Sequence, residues 1–140
     1  MTQTILLKHR PQGKPTASDF EFIKDDTRLS IRDGELLLET VYISVDPYLR
    51  GRMSDGKSYV APFELGEPIH SGIIAKVLDS KNKTFRKGDY VSGMLNWKTK
   101  QISNGEGLHK VDASKADLSA YLGILGMTGL TAYLGLTEIG

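Results

Sequence analysis

Three observations predict an α+β fold, mainly β, for this chain. Fifteen glycines are spread through 140 residues, often between short apolar runs, which is the pattern of tight turns joining short strands. After Asp112 the pattern changes to leucine and alanine at helical spacing, and no internal repeat, linker or low-complexity segment interrupts the change. The expected architecture is therefore a β-rich body over residues 1–112, a partly closed barrel, followed by a helical segment over residues 113–140.

The elements follow in order. TILLKHRP, from Thr4, is a first strand closed by Pro11, and Phe20, Phe22 and Ile23 mark a second. GELLLETVYISVDP, from Gly34, is a long third strand whose end Pro47 forces, because proline brings no backbone N–H to a ladder. SGIIAKVLDS, from Ser71, is a further strand. The charged turn NKTFRKGD leads from it directly into the apolar strand YVSGMLNW. Residues 102–111 give one more short strand across two glycines. ASKADLSAYLGILGMTGLTAYLGLTEIG, from Ala113, is helical, with Gly126 and Gly129 dividing it into two pieces. The sequence stops at Thr137-Glu138-Ile139-Gly140 with glycine at a helix C-cap position, and it reads like a cut between domains.

Composition limits function. With 39% hydrophobic and 25% charged residues the chain has the balance of one globular domain able to bury a core. Eighteen Lys and Arg stand against 17 acids, which leaves no field to recruit nucleic acid or an anionic membrane. There is no cysteine, which removes disulfides and thiolate metal ligation. No segment approaches membrane-spanning length, and the N-terminal apolar run is too short for a secretion signal, so a cytoplasmic location is expected.

One stretch, VYISVDPYLRGRM from Val41 to Met53, sets a tyrosine and two arginines straight after a strand. The turn at Asp46-Pro47 lets Tyr48 project into a cleft, with Arg50 and Arg52 along another face. Planar guanidinium groups suit a cofactor phosphate or a substrate carboxylate. They equally suit a structural role, pairing with nearby acids such as Asp46 to hold the rim, which is the commoner use of surface arginines.

VYISVDPYLRGRM, GDYVSGMLNW and LGILGMTGLTAYLGLTEIG, in this order and at these intervals, resemble the N-terminal domain of the zinc-independent medium-chain dehydrogenase/reductases, in particular the prostaglandin reductase and alkenal/one double-bond reductase group. The resemblance covers nearly all of residues 4–140. It implies a GroES-like, partly open barrel leading toward a Rossmann domain that binds NADPH. The dinucleotide fingerprint of a strand, a Gly-rich turn and a helix is not found here, since GILGMTGLTAYLG lies within helical sequence. It also implies reduction of the carbon–carbon double bond of an α,β-unsaturated aldehyde or ketone, no activity without the cofactor domain, and a homodimer in the full-length protein. A stand-alone binding module without redox chemistry is the alternative.

The resemblance assigns residues. Met127 and Thr128 would lie beside the nicotinamide and its ribose, Thr128 offering a hydroxyl and a helix-start N–H; helix capping and close packing explain the glycines around them equally well. Tyr48, whose phenol keeps its proton at neutral pH, is the candidate donor to the developing enolate oxygen, or else packs on the barrel rim. Met94, Leu95, Asn96 and Trp97 would form a second wall of the substrate pocket, core packing being the alternative for Met94 and Trp97. Tyr59, in the loop DGKSYVAPFELGEP, would cover the pocket or anchor the loop. No zinc is expected. Cysteine is absent, the positions of the related zinc enzymes' His and Glu hold Pro68 and Ile69, and His9, His70 and His109 lie in separate segments.

Overall fold

A computed structural model describes residues 1–56 and 60–139. Seven strands and two short α-helices run in the order β1 (Thr2–Leu7), β2 (Phe20–Asp25), β3 (Leu36–Ile43), α1 (Tyr48–Arg52), β4 (His70–Ser80), β5 (Tyr90–Asn96), β6 (Lys100–Ser103), β7 (His109–Val111) and α2 (Met127–Leu134). Short 3-10 turns occupy Ala17–Asp19 and Leu118–Leu122, and a π turn over Gly135–Ile139 continues α2.

The fold is mainly β with helices at the end, as expected, and the strands form two open sheets without closing into a barrel. β1 and β2 make an antiparallel ribbon, and the larger sheet has the order β6-β3-β4-β5-β7, antiparallel throughout. Eleven-residue β4 is its centre. Ile73, Ala75 and Val77 are fully buried, and with Leu36, Leu38, Phe85, Val91, Leu95 and Leu108 they form the main core. Apolar residues thus occupy both sides of the central strand, where no water can compete for its backbone.

The ribbon is tied to the sheet through backbone bonds along the edge of β1 that β2 leaves open. The Ile5 N–H donates to the Trp97 carbonyl at 2.9 Å, and the Ile5 carbonyl accepts from the Ile69 N–H at 3.1 Å. A second core of Leu7, Leu49, Met53, Phe63 and Ile69 fills the space beneath this junction, and Trp97 packs against both cores.

Three expectations change. Pro47 does not end β3, which stops at Ile43; it opens α1 with φ −55° and ψ −33°. A ring-fixed φ near −65° suits the first helical turn, where the missing N–H would have no partner in any case. Residues 102–111 are not one strand. Gly105 and Gly107 take φ of +84° and +70°, and the chain reverses through them from β6 at one edge of the sheet to β7 at the other. Gly126 does bound the last helix as its N-cap, but Gly129 lies inside α2, and the piece before it is a 3-10 turn.

Candidate functional site

The arginine-bearing helix α1 is bolted down from one side. Arg50 donates to the carbonyls of Gly13 at 2.9 Å and Pro11 at 2.9 Å and to the Ser54 hydroxyl at 2.8 Å. Buried Arg52 donates to the Ala61 carbonyl at 3.0 Å, lies 3.0 Å from His70 Nε2, and stacks 4.1 Å over the Phe63 ring. Arg10 reaches in to the carbonyls of Met53 and Phe63. The structural use of the two arginines holds, but their acceptors are carbonyls rather than acids. Asp46 instead accepts from the Ser44 hydroxyl at 2.7 Å. Both guanidinium groups thus brace α1 against neighbouring segments.

His70 is fixed by the same clamp. Burial, and next the Arg52 charge, hold its pKa below the ordinary 6.5, against a smaller upward pull from the hydrogen bond to the Pro68 backbone. With Nε2 facing a guanidinium that can only donate, the ring is neutral with its proton on Nδ1. Among the described residues no three His, Cys, Asp or Glu side chains group to hold a metal ion.

The other end of α1 faces a cleft of about 400 Å³. Tyr48 lines it together with Ser44 and Asp46 from the end of β3, Gly72 from β4, Met94 from β5, and Met127 and Thr128 from the start of α2. The 3-10 turn roofs it. A Cβ on Gly72 would stand 3.4 Å from Leu122 and 3.7 Å from Ser44, ordinary contact distances, so the turn packs directly over the sheet there. Gly126 is more demanding, because a Cβ there would come within 2.5 Å of the Tyr121 carbonyl. Four of the eight expected residues, Tyr48, Met94, Met127 and Thr128, are thereby brought together from three separate segments.

Residues 3–111 match the family described as the N-terminal domain of oxidoreductase. The chain belongs to that family. The Bacillus subtilis protein YfmJ is 50% identical over 138 residues, covering 99% of this chain and 40% of that protein. The NADPH-dependent curcumin reductase of Escherichia coli is 41% identical over 135 residues, 96% of this chain and 39% of the relative. Among solved structures, CurA from Vibrio vulnificus superposes with a TM-score of 0.88 at 40% identity, over 99% of this chain and 40% of that one; a second CurA structure, with a TM-score of 0.87, is a complex with NADPH. The chain thus spans about 40% of the length of the relatives it matches.

Within this oxidoreductase domain the remaining expected residues lie elsewhere. Leu95 is 8% exposed and belongs to the main core, on the face of β5 opposite Met94, which is 58% exposed. Asn96 lines a separate polar depression with Lys98, Lys100 and Gln101. Trp97 joins the two cores, with its indole N–H donating to the Ser71 hydroxyl at 2.8 Å. Alternation along a strand sends neighbours to opposite faces, so a run of four consecutive residues does not make one wall. Tyr59 lies outside the described residues.

Sequence reasoning passed over Ser92, His109, Tyr121 and Leu125, which also line the cleft. Ser92 was legible from Met94 by the period of two. His109 was not, because its approach depends on a pairing between β5 and β7 that no local pattern announces.

Proposed function

We propose that this chain is the substrate-side domain of an NADPH-dependent oxidoreductase that reduces the carbon–carbon double bond of α,β-unsaturated aldehydes or ketones. The observation that carries the reading is the single cleft where Tyr48, Met94, Met127 and Thr128 meet. The names of the relatives point the same way: besides the curcumin reductase, a 2-alkenal reductase of tobacco is 39% identical over 139 residues, 96% of this chain and 40% of the relative.

The start of α2 fits one edge of a nicotinamide. The N–H groups of Met127 and Thr128 have no acceptor within the helix, and the Met127 side chain is apolar and exposed. The Thr128 hydroxyl donates to the Gly123 carbonyl at 2.8 Å, so it meets a ligand as an acceptor. When bound, NADPH supplies the hydride that adds to the β-carbon. Tyr48 donates a hydrogen bond to the carbonyl oxygen, on which negative charge grows as that bond forms, and a proton then reaches the α-carbon. Met94, Leu122 and Leu125 supply the apolar wall that keeps water from the developing charge. Most of the dinucleotide is held by residues beyond this chain, so the isolated domain does not turn over.

Product analysis tests the bond assigned. With a 2-alkenal and NADPH, the full-length gene product is expected to give the saturated aldehyde. Accumulation of the allylic alcohol instead would assign the hydride to the carbonyl carbon and overturn this reading.

A further inference from the structure

The polar groups lining the cleft differ in what they leave available. Ser44 donates to Asp46, the Tyr121 hydroxyl is bonded to the Asp112 backbone, and the Thr128 hydroxyl donates to Gly123. Among the described residues no hydrogen bond engages the Ser92 hydroxyl or the His109 ring. These two are direct partners across β5 and β7. Directly opposed residues project to the same face with Cβ atoms about 5 Å apart, and Met94, two residues along β5, shares that face.

The topology also fixes how far this pair stands from the Tyr48 end. The Ser44 N–H donates to the Gly72 carbonyl of β4, β4 pairs with β5, and β5 pairs with β7. Three strand spacings of roughly 4.8 Å put His109 about 14 Å across the sheet from Ser44. Gly72, Met94, Leu122 and Leu125 lie along the cleft between these ends, and among the described residues no Lys or Arg lines it.

We propose that Ser92 and His109 form a hydrogen-bonding subsite that holds a neutral oxygen function of the substrate, a hydroxyl or second carbonyl, remote from the reacting double bond. This rests on the reductase reading and narrows its substrate class to elongated enones with an apolar middle and an oxygen at the far end. A serine hydroxyl donates and accepts, and an imidazole ring presents two nitrogens to hydrogen-bonding partners, so the pair can engage a substrate oxygen from two sides. Among the described residues no guanidinium or ammonium lines that end of the cleft to receive a carboxylate.

The test compares kcat/KM of the full-length gene product, with NADPH, for two enones of equal chain length, one ending in a hydroxyl and the other in a methyl group. Ser92→Ala and His109→Leu are each expected to lower the ratio of hydroxyl to methyl substrate by roughly tenfold, through KM rather than kcat. A ratio unchanged in both variants overturns the subsite and leaves the reductase reading standing. Turnover of neither enone by the unaltered protein overturns the reductase reading. The subsite is then decided on this chain by titrating the saturated hydroxy-ketone against the ring resonances of its three histidines. A shift confined to His109 upholds it, and no shift removes it.

Discussion

At the residue scale, Arg52 and Tyr48 share five residues of helix and do opposite things. Arg52 is buried and gives its hydrogen bonds to Ala61 and His70. Arg52→Met keeps most of the volume but leaves both acceptors without a donor, and a loss of about 2–4 kcal/mol in denaturant unfolding is expected; a loss within experimental error would contradict the clamp. His70 adds a pH dependence. Its folded pKa is depressed, so the neutral ring stabilises the fold fully above the ordinary value of 6.5, and that contribution is lost as pH falls through the folded value. The unfolding midpoint should therefore drop between about pH 7 and pH 5, and His70→Gln should flatten that slope. Asp25, Asp89 and Asp112 are also depressed, each first by a side-chain hydrogen bond, to Thr27, Lys110 and Ser114, but they act only at and below the ordinary carboxylate value of 3.8. Equal slopes with and without His70 would place the effect elsewhere. At the cleft end, Tyr48→Phe removes only the phenolic oxygen, and kcat of the full-length gene product should fall by on the order of a hundredfold.

At the element scale, the glycines that admit a close neighbour separate stability from cleft shape. A Cβ on Gly93 would meet Leu108 Cδ2 at 2.5 Å and the Gly107 carbonyl at 3.1 Å, inside the main core. Gly93→Ala is accordingly expected to cost about 1–3 kcal/mol of stability. Gly126→Ala presses on the Tyr121 backbone in an exposed segment, so it should displace the start of α2 and lower turnover far more than it lowers the melting temperature. Equal effects of the two substitutions on stability would contradict this division. The same scale shows where local pattern sufficed. β4 and β5 were legible because their apolar runs are bounded by turn signals, and the turn at Gly88 has φ +93°. α1 was not, because Leu49 and Met53 supply a single apolar repeat in five residues of helix, and the helix is set by Pro47 and by arginines reaching distant carbonyls. Tyr48 was still found, since a residue just after the break leaves the sheet whether it enters a turn or a helix.

At the scale of the whole molecule, the body is packed and the end is not. Ile124, Leu125, Met127, Leu130, Tyr133, Leu134, Leu136 and Ile139 are all exposed, Leu136 by 79% and Ile139 by 86%, while every residue of α2 lacks full burial. Such an apolar surface belongs to a contact, and the reductase reading gives it to the rest of the protein. The isolated chain is expected to bind a hydrophobic dye and to self-associate with rising concentration, and Leu130→Glu with Leu136→Glu should reduce both; a dye-silent monomer would contradict this. The mainly β fold with helices at its end was legible from glycine spacing and apolar pattern, whereas the two open sheets were not, because no local pattern says whether strands close into a barrel. Half of the expected residues line the cleft, and the others of its lining depended on which strands pair. The most direct test of the central claim is NADPH consumption with a medium-chain 2-alkenal or enone, measured for this chain and for the full-length gene product. Turnover by the full-length protein alone is the predicted result. Turnover by neither, with both folded, would contradict the assignment of this cleft to enone reduction.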